Sequence, residues 1–218
     1  MEKIEVLDLI LLTGLVPVVR VPSPEAALRV ADALRDGGVS IIEITMTVPG
    51  ALKVVEELGR RYGNEVVIGA GTVLDPATGK AALLAGAQFL VSPVLDVELV
   101  RYGRRHGVLV IPGALTPTEI LAGWNSGAVL VKVFPAGPLG GADYIRSIRG
   151  PLPHINLIPT GGVNLGNAGD FIRAGAAAVG VGGELLDKTA IARGEFSVIR
   201  DNAAAFLEAV RKAKGIET

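Results

Sequence analysis

The sequence predicts an α/β chain arranged as a (β/α)8 barrel, and three observations lead there. Short runs with β propensity recur eight times along the 218 residues. Helical segments fall between them, an alternation that implies βαβ units and parallel strands. Polar side chains gather late in the runs, at Arg20, Glu43, Thr45, Thr72, Ser92, Lys132 and Thr160, the end at which such barrels carry their sites. The chain is short for this fold, whose usual size is about 250 residues, so its loops must be tight. An open doubly wound sheet is the competing arrangement.

Taken in order, Met1 to Leu12 is apolar in its second half but carries Glu2, Glu5 and Asp8. That pattern predicts an amphipathic helix rather than a signal peptide. The first run, Val16–Val21, leads through Ser23, a helix N-cap, into a helix over Pro24–Asp36 that stops at Gly37-Gly38. The second run is Ile41–Thr45. Alternation puts Ile41, Glu43 and Thr45 on one face and Ile42 and Ile44 on the other. A helix over Pro49–Arg61 follows, then the third run Val66–Val73, a helix over Pro76–Ala85 and the fourth run Phe89–Pro93. The fifth run is Val108–Pro112, with a helix over Thr118–Trp124 behind it. In the sixth run, Val129–Pro135, the residues Leu130, Lys132 and Phe134 share the face predicted to point inward, while Val129, Val131 and Val133 face the helices. The seventh run, Ile155–Thr160, is followed by a helix over Leu165–Ala174. Val179–Gly183 is the eighth, and Phe196–Ala213 a closing amphipathic helix. No linker or shift in composition divides the chain, which predicts a single domain over residues 1–218.

Composition narrows the function. Half the residues are hydrophobic, 20% are charged and the net charge is −1, which argues against a nucleic-acid partner. There is no cysteine, so disulfides and thiolate metal sites are excluded, in keeping with a cytoplasmic location. No apolar run reaches the roughly 18 residues of a spanning helix, so no membrane partner is expected. His106 and His154 stand alone, away from carboxylate clusters, and no metal or cofactor is expected. Gly69-Ala70-Gly71-Thr72 resembles a nucleotide fingerprint only superficially, because it ends a strand and runs into Asp75-Pro76.

Lys132 is the residue that points to chemistry. It lies in the otherwise apolar stretch Val129-Leu130-Val131-Lys132-Val133-Phe134-Pro135, where an ammonium is costly unless paired or deprotonated. An amine must be neutral to attack a carbonyl. A free lysine is neutral in only about one molecule in 2,500 at pH 7, and apolar surroundings favour the neutral form. Glu43 is the only acidic residue within a strand run and is the candidate proton carrier. Both residues are also compatible with a structural ion pair, Glu43 with Lys132 or Arg20. Two glycine turns follow the seventh and eighth runs, Thr160-Gly161-Gly162-Val163-Asn164 and Val181-Gly182-Gly183. Barrels of this kind bind phosphate in those loops.

Six motifs, in this order, carry a resemblance: Ile42-Glu43-Ile44-Thr45, Gly69-Ala70-Gly71-Thr72-Val73, Val91-Ser92-Pro93, Ile111-Pro112-Gly113, Val131-Lys132-Val133-Phe134-Pro135 and Pro159-Thr160-Gly161-Gly162-Val163. From about Val16 to the end of the eighth strand the chain resembles the 2-keto-3-deoxy-6-phosphogluconate aldolases, also described as 4-hydroxy-2-oxoglutarate aldolases. The resemblance implies a class I aldolase on a (β/α)8 barrel, assembled as a homotrimer, that reversibly releases pyruvate and glyceraldehyde 3-phosphate. It implies Lys132 as the Schiff-base amine and Glu43 as general acid and base. Thr72 and Thr160 would contact pyruvate or substrate hydroxyls, Pro93 and Phe134 would wall the pocket, and Gly161 and Gly162 would receive a phosphate, beside the Gly182 and Gly183 that the loop position already offers for it. Two places depart from the family. Thr47 stands where some members hold the pyruvate carboxylate with an arginine, which passes that role to Arg20. Gly183, followed by Glu184, stands where many relatives place a serine on the phosphate, which brings a differently charged 2-keto acid into consideration. A sugar-phosphate isomerase or decarboxylase, with Lys132 as an electrostatic stabiliser, and a non-catalytic assembly scaffold are the alternatives.

Overall fold

A computed structural model describes residues 2–216 of the chain. Its strands are β1 (Leu15–Val19), β2 (Ile41–Thr45), β3 (Val67–Gly71), β4 (Phe89–Val91), β5 (Leu109–Ile111), β6 (Gly113–Ala114), β7 (Val131–Val133), β8 (Leu157–Pro159) and β9 (Val179–Val181). All the ladders are parallel. They form a six-stranded curled sheet in the order β5-β4-β3-β2-β1-β9 and a three-stranded sheet β6-β7-β8. The α/β class is as expected. The eight continuous ladders of the sequence reading are not drawn in that form.

Two seams lie between the sheets. At one, a lone parallel bridge joins Thr160, just past β8, to Gly180 of β9. At the other the chain itself crosses. The predicted fifth strand is split at Pro112, which has no N–H to give to a ladder. The Ile111 carbonyl accepts from Ser92 at 3.0 Å on the β4 side, and the Pro112 carbonyl accepts from the Lys132 N–H at 2.8 Å on the β7 side.

Period-two alternation sorts the strand side chains into two apolar layers. Ile42, Ile44, Ile68, Leu90, Val110, Val131, Val133, Leu157 and Val179 pack with the surrounding helices. Val16, Ile41, Val67, Phe89, Leu109, Leu130 and Ile158 form a separate inner cluster. Val129 departs from its expected face and packs on the inner cluster, because it precedes β7 and is outside the ladder that sets the alternation.

The N-terminal helix runs Lys3–Thr13; the Met1 end of that expectation lies outside the described residues. It is not amphipathic in the expected sense. Only Val6 and Ile10, one turn apart, are buried, and both enter the inner cluster, while Ile4 and Leu12 stay exposed. It closes one end of the inner layer with the buried pair Val6 and Ile10, and half-buried Leu7 and Leu9 pack against the same cluster. The Lys214 ammonium donates to the Leu11 carbonyl, tying this helix to the last one, Phe196–Lys214.

Helix boundaries moved where local polar bonds decide them. Ser23 caps as expected, accepting from the Ala26 N–H at 3.1 Å. The helix expected at Leu165–Ala174 spans only Ala168–Arg173, because Asn164 and Asn167 bond each other across the residues before it. Among the described residues no helix is long and apolar enough to cross a membrane.

Candidate active site

Each of the two charged candidates is fixed by the register of its own sheet. Glu43 stands beside Val18 of β1 and Gly69 of β3, and Lys132 beside Gly113 of β6 and Ile158 of β8. Two residues earlier in the same runs, Ile41 and Leu130 belong to the apolar inner cluster. The ionisable heads therefore sit above a hydrophobic column, on its C-terminal side.

Glu43 is 2% exposed and Lys132 6%. Among the described residues neither head makes an ion pair or a hydrogen bond with a protein side chain, and no fully buried side-chain polar atom is left unbonded. Both heads thus open onto space rather than onto each other, which removes the direct ion pair considered above. Burial raises the Glu43 pKa above the ordinary carboxylate value, and the positive charges of Lys132 and Arg20 partly offset that rise. The carboxyl leans across β3, where only a glycine admits it. A Cβ on Gly71 would lie 1.7 Å from Glu43 Oε1 and 2.3 Å from its Cδ.

Above these heads lies a cavity of about 550 Å³. Arg20, Thr72, Pro93, Lys132, Phe134 and Thr160 all line it, as do Gly161, Gly162, Gly182 and Gly183. Glu43 lies just beneath this wall. Two smaller hollows, of about 280 and 470 Å³, lie among the outer helices. Lys132 Nζ stands 5.2 Å from the centre of the Phe134 ring, within cation–π range. Phe134 precedes a cis proline, Pro135.

Thr72, at the end of β3, has φ +60°, the one positive φ at a non-glycine among the described residues. A β-branched residue there costs of order 1–3 kcal/mol, and the conformation turns the threonine into the cavity wall. Thr160 Oγ1 occupies the place a side chain on Gly180 would take, 2.3 Å from its notional Cβ. Gly161 and Gly162 both have positive φ, +81° and +83°. The Gly161 carbonyl accepts from the Gly137 N–H at 2.8 Å, and the Gly162 carbonyl from Asn167 Nδ2 at 2.9 Å. The N–H groups of Gly161, Gly162 and Val163 have no backbone acceptor among the described residues. Such a turn suits an anion.

Sequence reasoning missed part of the wall. Val18, Gly180, Leu186 and Lys188 also line the cavity, and Lys188 adds a cation four residues beyond Glu184, which lines it too. An Asp-Lys pair opening a short helix carries no signal for this in the sequence. The histidines lie elsewhere, His106 against Tyr102 with ring centres 4.4 Å apart and His154 edge-on to Trp124 at 5.6 Å.

A parallel α/β frame with a polar cavity at the C-terminal ends of its strands defines an enzyme of the kind whose chemistry sits at that face. The family model described as KDPG and KHG aldolase matches residues 7–201. The 2-dehydro-3-deoxy-phosphogluconate aldolase of Pseudomonas aeruginosa is 35% identical over 85% of this chain and 84% of its own. The KHG/KDPG aldolase of Escherichia coli K12 is 34% identical over 94% and 95%. Among solved structures, KDPG aldolase from Legionella pneumophila, with pyruvate captured at low pH as a covalent carbinolamine, superposes with a TM-score of 0.84 at 32% identity, covering 90% of this chain and 95% of that one. The chain belongs to the KDPG and KHG aldolase family, and it is a lyase that performs class I retro-aldol cleavage.

Proposed function

We propose that this aldolase cleaves a 2-keto-4-hydroxy acid, 2-keto-3-deoxy-6-phosphogluconate or 4-hydroxy-2-oxoglutarate, to pyruvate and an aldehyde through an imine on Lys132. One observation carries the reading. A buried lysine lines the cavity and a buried carboxylate is close enough to feel its charge, yet the two form no ion pair, so the amine is left free to meet a ketone.

Lys132 Nζ adds to the C2 carbonyl, and the carbinolamine takes up a proton and loses water to give an iminium. The Glu43 carboxylate takes the C4 hydroxyl proton as the C3–C4 bond breaks. The electron pair of that bond passes into the iminium, giving an enamine and the free aldehyde. Protonated Glu43 returns its proton to C3, and water releases pyruvate and the amine. A carboxyl whose burial favours the protonated form is suited to both proton transfers. Arg20, at the cavity wall, holds the pyruvate carboxylate. Thr72 and Thr160 bond the substrate oxygens, and Pro93 and Phe134 pack against the pyruvate methyl. The free N–H groups of the Gly161-Gly162 turn, with Gly182 and Gly183, receive the distal anion, and Lys188 balances Glu184 there.

The same reading takes residues 1–218 as one domain and the two sheets as one eight-stranded barrel, continuous at Pro112 and joined by the Thr160–Gly180 bridge. It also takes three copies to assemble in the cytoplasm. Leu74, Leu84, Val94 and Leu121 are exposed on consecutive βα units, apolar side chains that a homotrimer would cover.

The test is reduction with borohydride in the presence of pyruvate, followed by intact-protein mass measurement. One pyruvate-derived adduct per chain is expected, lost in Lys132→Ala. Absence of an adduct in the unmodified protein, or its survival in the variant, would falsify the imine.

A further inference from the structure

We propose that Asn167 is the positioning residue of the distal anion turn: its side-chain amide sets the direction in which the turn's N–H groups point. This rests on the reading that the Gly161-Gly162 turn receives the substrate's phosphate. Asn167 touches that turn at two points. Its Oδ1 accepts from the Asn164 N–H at 2.8 Å, and its Nδ2 donates to the Gly162 carbonyl at 2.9 Å. A carbonyl on one side and an N–H on the other leave only one satisfying orientation of the amide. A third bond, from the Asn167 N–H to Asn164 Oδ1 at 3.1 Å, fixes the start of the following helix Ala168–Arg173.

In a trans peptide the carbonyl and the next N–H point in opposite directions. Drawing the Gly162 carbonyl toward Asn167 therefore turns the Val163 N–H the other way, and Gly162 and Val163 both line the cavity. The Gly137 N–H does the same for the preceding peptide by holding the Gly161 carbonyl. That clamp is backbone, and the notional Cβ of Gly162 would lie only 2.7 Å from Gly137 Cα, so the two segments are in close contact. Of the two clamps, the side chain of Asn167 is the one a substitution can remove. Both glycines have positive φ, so no side chain of their own limits how the turn could re-orient.

The experiment compares two substrates on the same protein. Asn167→Ala removes both side-chain bonds to the turn. Asn167→Asp keeps the acceptor for the Asn164 N–H but sets an oxygen against the Gly162 carbonyl. In both variants KM for 2-keto-3-deoxy-6-phosphogluconate is expected to rise about tenfold, the scale of one well-placed hydrogen bond lost from an anion. The kcat values, KM for 4-hydroxy-2-oxoglutarate and the borohydride-trapped pyruvate adduct should stay unchanged. Thermal unfolding is followed in parallel, and Asn167→Ser repeats the comparison if the alanine variant folds poorly. A ratio of the two KM values equal to that of the unmodified protein overturns the role of Asn167 alone. If the unmodified protein shows no preference for the phosphorylated substrate and inorganic phosphate does not compete with it, the phosphate reading of the turn fails, and the role of Asn167 with it.

Discussion

Replacing Gly71 with alanine tests the site through a residue that takes no part in the chemistry. The added Cβ would lie 1.7 Å from Glu43 Oε1, 2.3 Å from Cδ and 2.7 Å from Cγ. Ordinary contact begins near 3.4 Å, so the carboxyl must retreat by about 1.5 Å or more. Gly71 is the last residue of β3, paired level with Thr45, and its φ is not in the left-handed region, so alanine is conformationally acceptable there. The strain of overpacking is about 1–3 kcal/mol, which a well-packed core of this size can bear. A 1 Å misplacement of a catalytic group costs about 10²-fold in rate, equivalent to about 2.7 kcal/mol of transition-state stabilisation. Pyruvate release, followed with a coupled reductase, should therefore fall by about two orders of magnitude in kcat. The trapped pyruvate adduct on Lys132 should persist, because the amine is untouched. Circular dichroism and thermal unfolding establish that the variant is folded. A folded Gly71→Ala with kcat near that of the unmodified protein would show that the position of the Glu43 carboxyl does not govern turnover, and the assignment of Glu43 as proton carrier would be abandoned.

Two further outcomes follow from the same geometry. Glu43→Gln should lower kcat by about 10²–10⁴-fold, the range of general acid–base catalysis, yet stabilise the fold in a pH-dependent way. The folded carboxyl has a pKa raised from 4.5, chiefly by burial. The folded state therefore holds a proton that the unfolded state has lost, and the stability of the unmodified protein falls as pH rises from about 4.5 through the raised value. The variant lacks this penalty, so its melting temperature should exceed that of the unmodified protein at pH 8 and match it near pH 4. A difference that does not change with pH contradicts the burial argument. For assembly, Leu84→Lys combined with Leu121→Lys should convert a species three times the 22.4 kDa chain mass into monomers in sedimentation equilibrium, Leu84 being 81% exposed. A trimer that survives both changes places the interface elsewhere.

Much of this architecture is legible in local patterns. Period-two alternation put Glu43 and Lys132 on the face of Ile41 and Leu130, and the inner cluster holds those two apolar residues. The capping hydroxyl of Ser23 needed only its neighbours in the chain. The pair Thr116 and Glu119 was equally readable, since each bonds the other's backbone N–H across one turn, yet it went unused. Boundaries failed where a bond between residues a few positions apart competed with the helix, as Asn164 and Asn167 did. The N-terminal helix misled because its apolar residues follow what it closes, not its own solvent face.

The sequence alone therefore determined which residues alternate inward, which glycines interrupt the strands, and which lysine stands among apolar neighbours. Each of these depends on a period or a turn within a few residues, and local sterics and solvation settle it. Only the tertiary structure decided that Glu43 and Lys132, far apart in the chain, are both buried without pairing, that Gly71 is empty so that a carboxyl can cross it, and that Lys188 reaches the same wall as Glu184. Those facts depend on strand register and sheet curvature, which bring distant segments together, and no local pattern encodes the distance between them.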